Sequence, residues 1–505
     1  SGGSTGELTF EQEDIPVAQK LEKAITKDYL ASLGMADSVV AYLHAFYSER
    51  KFAPVWINDS TLTEMGTKMK DAMSKPEQLG VPEGRHVQFK GTNYIQDELI
   101  NTYMTALVAN DLENGIIDYT KKTLKPSGLV DKGKLSAYTD FDDATDVRYQ
   151  FVEVADVDSS YIVLSQGLIN LMDTYPMDTS IFKVHSIKKD STEAAKLANQ
   201  ALVSKGYLEA ENDTSMFMTS LRTFQEQNGL KPDGVIGRYT SRALNESTTH
   251  RRDRIILALD KLRSHEKFPT KYIYINIPEY KLRFFINDSL KSDHNIVVGK
   301  DENQTPELTS NLKNIVTYPF WNVPYSISSK EILPAIKYNS EYLANHNYTI
   351  YKDGAAVDPS TVDWSKIGQS SFPYRVVQGS GRSNSLGIMK FVFPNSHSVY
   401  FHDTPSKSLF STDVRAYSHG CMRTQNPVQL AEAILPRDNV GRRKNDVSLD
   451  SLASILDRGE RRVIKLNDPI PIYIEYVTVA RRGIKMITYI DIYGRDEEYL
   501  KIMRG

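Results

Sequence analysis

Hydrophobic spacing changes character twice along this chain. Up to about residue 190 apolar positions recur at helical intervals, as in Val39, Val40, Leu43, Phe46 and Tyr47. Pro54 follows and stops that helix, because proline lacks the amide a helix interior needs. Further helices are predicted over 98–112 and 146–157, which makes 8–190 a mainly helical scaffold domain. Residues 191–246 read as a compact module of three helices. Ala195, Leu197, Ala198, Ala201 and Leu202 line the first, which Gly206 ends; Met216, Met218, Leu221 and Phe224 line the second, which Gly229 ends. A turn at Pro232-Asp233-Gly234 leads into a short third helix. A connecting helix spans 247–268, and its Arg251-Arg252-Asp253-Arg254 start reads as a solvated face.

Beyond Phe268-Pro269 the period falls to two. Ile273, Ile275 and Ile277 alternate with Tyr272, Tyr274 and Asn276; Leu282, Phe284 and Ile286 alternate again; a third run ends at Val297-Val298-Gly299. Such runs predict an antiparallel β domain over 269–505, continuing through 315–323, 374–378, 388–393 and 399–402. Between about 326 and 372 the alternation lapses. A gap that long inside a compact domain is rarely structureless, so it reads as an inserted lid subdomain. The fold expected is therefore multidomain α+β.

Composition narrows the function. With 61 Lys+Arg against 64 Asp+Glu the formal net charge is −3, which argues against a nucleic-acid partner. No apolar run reaches the length of a membrane span. The start without Met or leader reads as a processed or trimmed form, with residues 1–7 a linker or cloning scar and any signal or anchor removed. The ten His are scattered without ligand spacing, so neither a metal nor another cofactor is expected. There is one cysteine, Cys421, which excludes an internal disulfide and fits a chain avoiding stray thiols in an oxidising compartment.

That cysteine stands in Ala416-Tyr417-Ser418-His419-Gly420-Cys421-Met422-Arg423, before a helix that Asn426-Pro427 opens. It is expected on an exposed loop between a β segment and that helix. The thiolate, not the thiol, is the nucleophile, so a nearby imidazole that takes the proton would activate it. His402, at the end of a different strand, and His419 are the candidates; His419 is poorly placed to turn its ring onto a sulfur two residues away. Asp403 adjoins His402, but neighbours on an extended chain point to opposite faces. A backbone carbonyl is thus favoured over the Asp403 carboxylate as the group orienting the base. The amides of His419, Gly420 and Cys421 are candidate oxyanion donors. Arg423 is a candidate for binding a substrate carboxylate, and Tyr400, on the same strand face as His402, for lining the cleft. Trp321 and Tyr325 read as core packing more than as substrate contacts, and Arg442-Arg443-Lys444 as a solvated loop.

Taken together, Ser418-His419-Gly420-Cys421-Met422-Arg423 with His402-Asp403-Thr404-Pro405 upstream resembles the catalytic motif of the L,D-transpeptidase (YkuD-type) family. The likeness extends to its large YcbB-like members through Trp321 to Ile327, Asn384 to Asn395 and Asp491 to Asp496. Phe224-Gln225, Asn228-Gly229-Leu230 and Asp233 to Gly237 are similar to the peptidoglycan-binding three-helix repeat. The resemblance implies a β-rich sandwich, Cys421 as nucleophile, His402 as general base, and His419 with Gly420 shaping the oxyanion region. Ser418, Arg423, Tyr400 and Asp403 would contact substrate. It further implies attack on peptidoglycan stem peptides, release of terminal D-Ala and formation of 3-3 cross-links, in the periplasm or cell envelope, with carbapenems as inhibitors. Asp403 stands where smaller relatives often carry Gly or Ser, and Met422 where they carry Val or Ile. An L,D-carboxypeptidase and a non-catalytic wall-binding protein are the alternatives.

Overall fold

The structure, a computed structural model, describes residues 15–155, 159–186, 191–210, 214–265, 267–438 and 446–504. The expected linker at 1–7 and the basic run Arg442-Arg443-Lys444 lie outside the described residues. The chain forms two units: Ser1–Glu266 with Thr478–Gly505, and Lys267–Val477.

In the first unit the central element is the helix Tyr94–Asn114. Asn93 starts it by accepting the Gln96 amide at 2.8 Å, and Gly115, at φ 67°, ends it. Its Glu98 is fully buried and accepts the amides of Val55 and Trp56 and the Tyr47 hydroxyl, each at 2.7 Å. Three donors on one carboxylate hold the segment after Pro54 against the helix.

The helices Ser191–Ser204, Thr214–Gln227 and Arg238–Leu244 enclose a core of Ala198, Leu202, Leu221, Phe224, Leu230 and Leu244. Gln225, buried, accepts the Gly234 amide at 2.8 Å and donates to Val235 O at 3.1 Å, which fixes the turn between the second and third helices. Met216 and Met218, expected in the buried stripe, are instead exposed. The inward stripe runs through Phe217, Leu221 and Phe224, and the two methionines flank it.

Arg251 and Arg254 are buried rather than solvated; Arg254 donates to Asp496 at 3.0 Å and pairs with Glu246 at 2.7 Å. These bonds, with the hairpin Val479–Arg482/Lys485–Thr488 and the helix Arg495–Arg504, tie the C-terminal segment to this unit. The β domain therefore ends at Val477 and not at the chain end.

The second unit is built on strands β1 (Lys271–Asn276), β2 (Lys281–Ile286), β3 (Ser289–Gly299), β4 (Leu308–Thr317), β5 (Trp321–Asn322), β6 (Tyr348–Lys352), β7 (Ala355–Val357), β8 (Arg375–Gln378), β9 (Met389–Val392), β10 (Phe401–His402), β11 (Ala416–Ser418), β12 (Met422–Thr424) and β13 (Arg462–Glu475). The main sheet runs β11-β3-β12-β10-β9-β4-β13-β1-β2, and β3 also pairs with β2. The hydrogen-bonded path thus returns on itself through β3, whose first half pairs with β2 and whose second half pairs with β12 and β11. The sheet is mixed, not antiparallel throughout: β10 with β12, β11 with β3 and β13 with β1 are parallel.

The segment between β4 and β9 forms a second sheet, β7-β6-β8-β5, with the helices Leu333–Tyr338 and Tyr342–Asn345. It has its own core, including Ile332, Leu333, Ile336, Ile350 and Val376. The insertion expected over 326–372 thus draws in β5 and β8, and the strand expected at 374–378 belongs to it, not to the main sheet.

Candidate active site

Alternation on three neighbouring strands separates a core face from a polar one. Phe391 on β9 pairs with Phe401 on β10, which pairs with Met422 on β12, and all three are fully buried. One residue along, Lys390 pairs with His402 and His402 with Arg423, so these point the other way. Tyr400 precedes His402 by two residues and Cys421 precedes Arg423 by two, which continues the same face. A lysine, a tyrosine, an imidazole, a thiol and a guanidinium are thereby gathered by strand register alone.

His402 is buried, and its Nδ1 is hydrogen-bonded to the backbone carbonyl of Asp403. A carbonyl only accepts, so Nδ1 carries the proton and Nε2 keeps a free lone pair. Burial pushes the imidazole down to about 3, and the charges of Arg423 and Lys390 also disfavour its protonated form. The ring is neutral at ordinary pH.

The Asp403 carboxylate is occupied elsewhere. It accepts the Ile388 amide at 3.0 Å and pairs with Lys407. This holds the turn at Gly387, where φ is 58° and an added Cβ would lie 2.3 Å from Asp403 Oδ2. Gly387→Ala is accordingly expected to lower stability by about 2 kcal/mol or more, since backbone strain and a displaced buried carboxylate add. A thermal or urea unfolding curve checks this.

Cys421 is half-buried, not fully exposed as expected. Burial pushes the thiol up, while hydrogen bonds from the Tyr400 backbone and hydroxyl and the Lys390 charge favour the thiolate. Tyr400 also receives a hydrogen bond from Trp321, and burial raises its own hydroxyl. Trp321, read from sequence as packing, thus reaches the site. No hydrogen bond joins Cys421 to His402 among the described residues. They are diagonal neighbours across parallel strands, roughly 7 Å apart at Cβ by sheet geometry, a gap two side chains can close by rotation.

The loop around the sulfur is shaped by its neighbours. Ser418 is buried; its hydroxyl donates to Cys421 O at 2.5 Å and accepts the Gly420 amide at 3.2 Å. That hydroxyl is engaged within the loop, and so is the Gly420 amide. The amides of His419 and Cys421 have no acceptor among the described residues and are the donors left for an oxyanion. Gly420, at φ 108°, takes a conformation that other residues rarely adopt. Buried Thr305 accepts the Gly299 amide and donates to Gly420 O, both at 2.9 Å. His419 turns away from the sulfur and pairs with Glu331 of the insertion at 2.5 Å. Burial lowers Arg423, which has no carboxylate partner among the described residues. Tyr325 is exposed and donates to Gln369 O at 3.0 Å.

Thr305, Lys390 and Trp321 were missed as site residues, because only the folded chain brings them to Gly420, His402 and Tyr400. Among the described residues there is no His/Cys/Asp/Glu group suited to a metal, and no helix long and apolar enough to cross a membrane.

Residues 270–441 match the family described as YkuD, the L,D-transpeptidase catalytic domain. A Haemophilus influenzae protein named "Putative L,D-transpeptidase" is 37% identical over 228 residues, covering 45% of this chain and 45% of that protein. The chain thus matches less than half the length of that curated relative. Two solved structures are also similar: an L,D-transpeptidase from Mycobacterium smegmatis (14% identity, 41% of this chain and 58% of that one, TM-score 0.19), and residues 123–326 of the L,D-transpeptidase from Xylanimonas cellulosilytica DSM 15894 (12%, 51% and 80%, 0.16).

Proposed function

We propose, from the YkuD-type L,D-transpeptidase catalytic domain over residues 270–441, that the protein cross-links peptidoglycan stem peptides in the cell envelope through a thioester on Cys421. The observation that carries this reading is the chain's single thiol on one strand face with an imidazole whose Nε2 is free and unprotonated.

In the first half-reaction His402 Nε2 takes the Cys421 proton as the sulfur attacks the carbonyl of the third stem residue at its L-centre. The amides of His419 and Cys421 hold the developing oxyanion. Collapse breaks the C–N bond, and the imidazolium returns its proton to the departing D-Ala amine. In the second half-reaction an amine from a neighbouring stem attacks the thioester and gives its proton to His402; the sulfur leaves, and a 3-3 cross-link forms. Arg423 binds a stem carboxylate, and the insertion, linked through Trp321 and His419–Glu331, acts as a lid that limits water. A carbapenem would acylate the same thiol, and the 191–246 module would hold the glycan.

Incubation with a disaccharide-tetrapeptide, followed by liquid chromatography and mass spectrometry, tests the reading. A dimer joined 3-3 with free D-Ala is expected. Tripeptide without dimer would replace transfer by carboxypeptidase activity, and unchanged substrate would overturn both.

A further inference from the structure

Lys390 has no role in the chemistry above, yet its placement is unusual for a lysine. It is only half-exposed, its register partner is His402, and it has no carboxylate partner among the described residues. Its ammonium lies over the Tyr400 ring at 3.6 Å from the centroid. Withdrawing an ammonium from water is costly unless an anion or a π face compensates, and a ring does so only in part. The same Tyr400 precedes Phe401 as Cys421 precedes Met422 on the paired strands, so it stands level with the sulfur, and it favours the thiolate. An ammonium against the ring draws electron density from the phenol and makes that hydroxyl a stronger donor toward negative sulfur. The one group on this face able to become the missing anion is Cys421.

We propose that Lys390 is a positioning residue that supplies the counter-charge for the Cys421 thiolate, directly through space and through the Tyr400 hydroxyl it polarises. This deepens the thioester reading and rests on it for its purpose. Ionisation of the thiol releases a proton to His402 or to water, and Lys390 stays protonated throughout, so it exchanges none. The lysine's own tendency is consistent: burial lowers it while the Cys421 charge raises it. The other groups facing the sulfur do not duplicate the role. His402 is neutral and His419 is turned to Glu331, while Arg423 stands two residues along β12 and, unlike Lys390, is not among the charges that act on the thiol.

Because Cys421 is the only cysteine, the pH dependence of iodoacetamide alkylation of the full chain reads this one sulfur. Lys390→Met, which keeps the stem and removes the charge, is expected to raise the alkylation midpoint by at least about one pH unit, slowing alkylation about tenfold or more at pH 7. Lys390→Arg should stay within about threefold of the parent, since a one-unit shift would be tenfold. Circular dichroism confirms that both variants are folded. A Lys390→Met profile that superimposes on the parent's would overturn the proposal, as would an equal shift in Lys390→Arg, which would assign the effect to packing. The assay uses no peptidoglycan. A shifted profile with no muropeptide thioester would sink the proposed function alone, and a thioester with an unshifted profile would sink this inference alone.

Discussion

Cys421→Ala is expected to eliminate acyl-enzyme formation and cross-linking altogether, because no second thiol in the chain can take over the attack. Loss of a nucleophile that acts within a coupled unit removes about six orders of magnitude in turnover, below detection for a slow cell-wall enzyme. The fold should survive. The side chain is small and half-buried, so the packing lost is on the order of 1 kcal/mol. The unfolding midpoint of the variant should fall within a few degrees of the parent, which separates lost chemistry from lost structure.

His402→Ala carries the second-largest effect. Removing a positioned base typically costs about 10²–10⁴-fold in rate, and acylation should fall by that much. Asp403→Ala should cost far less activity. The imidazole is oriented by the Asp403 backbone carbonyl, which the variant keeps, while the lost carboxylate serves the Ile388 amide and Lys407. Its penalty should appear in thermal stability instead. The pH profile adds a signature. An ordinary imidazole with a pKa near 6.5 would lose about twentyfold in its neutral form between pH 7 and pH 5. His402 is held near 3, so its neutral, proton-accepting form persists across that range and acylation should stay nearly flat between pH 7 and pH 5. Comparable losses in the two alanine variants would instead favour a side-chain triad.

Much of this site could be read from the sequence because its parts are local. Alternation around Phe401 put Tyr400 and His402 on one face, and the spelling from Ser418 to Arg423 marked the loop. The backbone carbonyl as orienting partner followed from the opposite facing of neighbours on a strand. What stayed hidden depends on pairing between distant segments. Nothing in the spacing of Lys390 or Trp321 tells which strand lies beside which, and it is β9 and β5 that bring them to His402 and Tyr400. The long strand β13 was missed because Asn467-Asp468-Pro469 has the composition of a turn; the sheet absorbs it as a register shift between Lys465 and Ile470. Ser418 looked available to a ligand, yet a hydroxyl in a tight loop finds the loop's own backbone first. The C-terminal boundary failed for a similar reason: the partner of Asp496 is Arg254, more than two hundred residues earlier.

Intact-mass analysis of the full chain, quenched in acid after brief incubation with a tetrapeptide-bearing muropeptide, tests the central claim most directly. An adduct equal to the muropeptide less D-Ala, mapped by peptide fragmentation to Cys421 and missing from Cys421→Ala, is the predicted result. Turnover of the muropeptide by Cys421→Ala, or an adduct on any other residue, would contradict it.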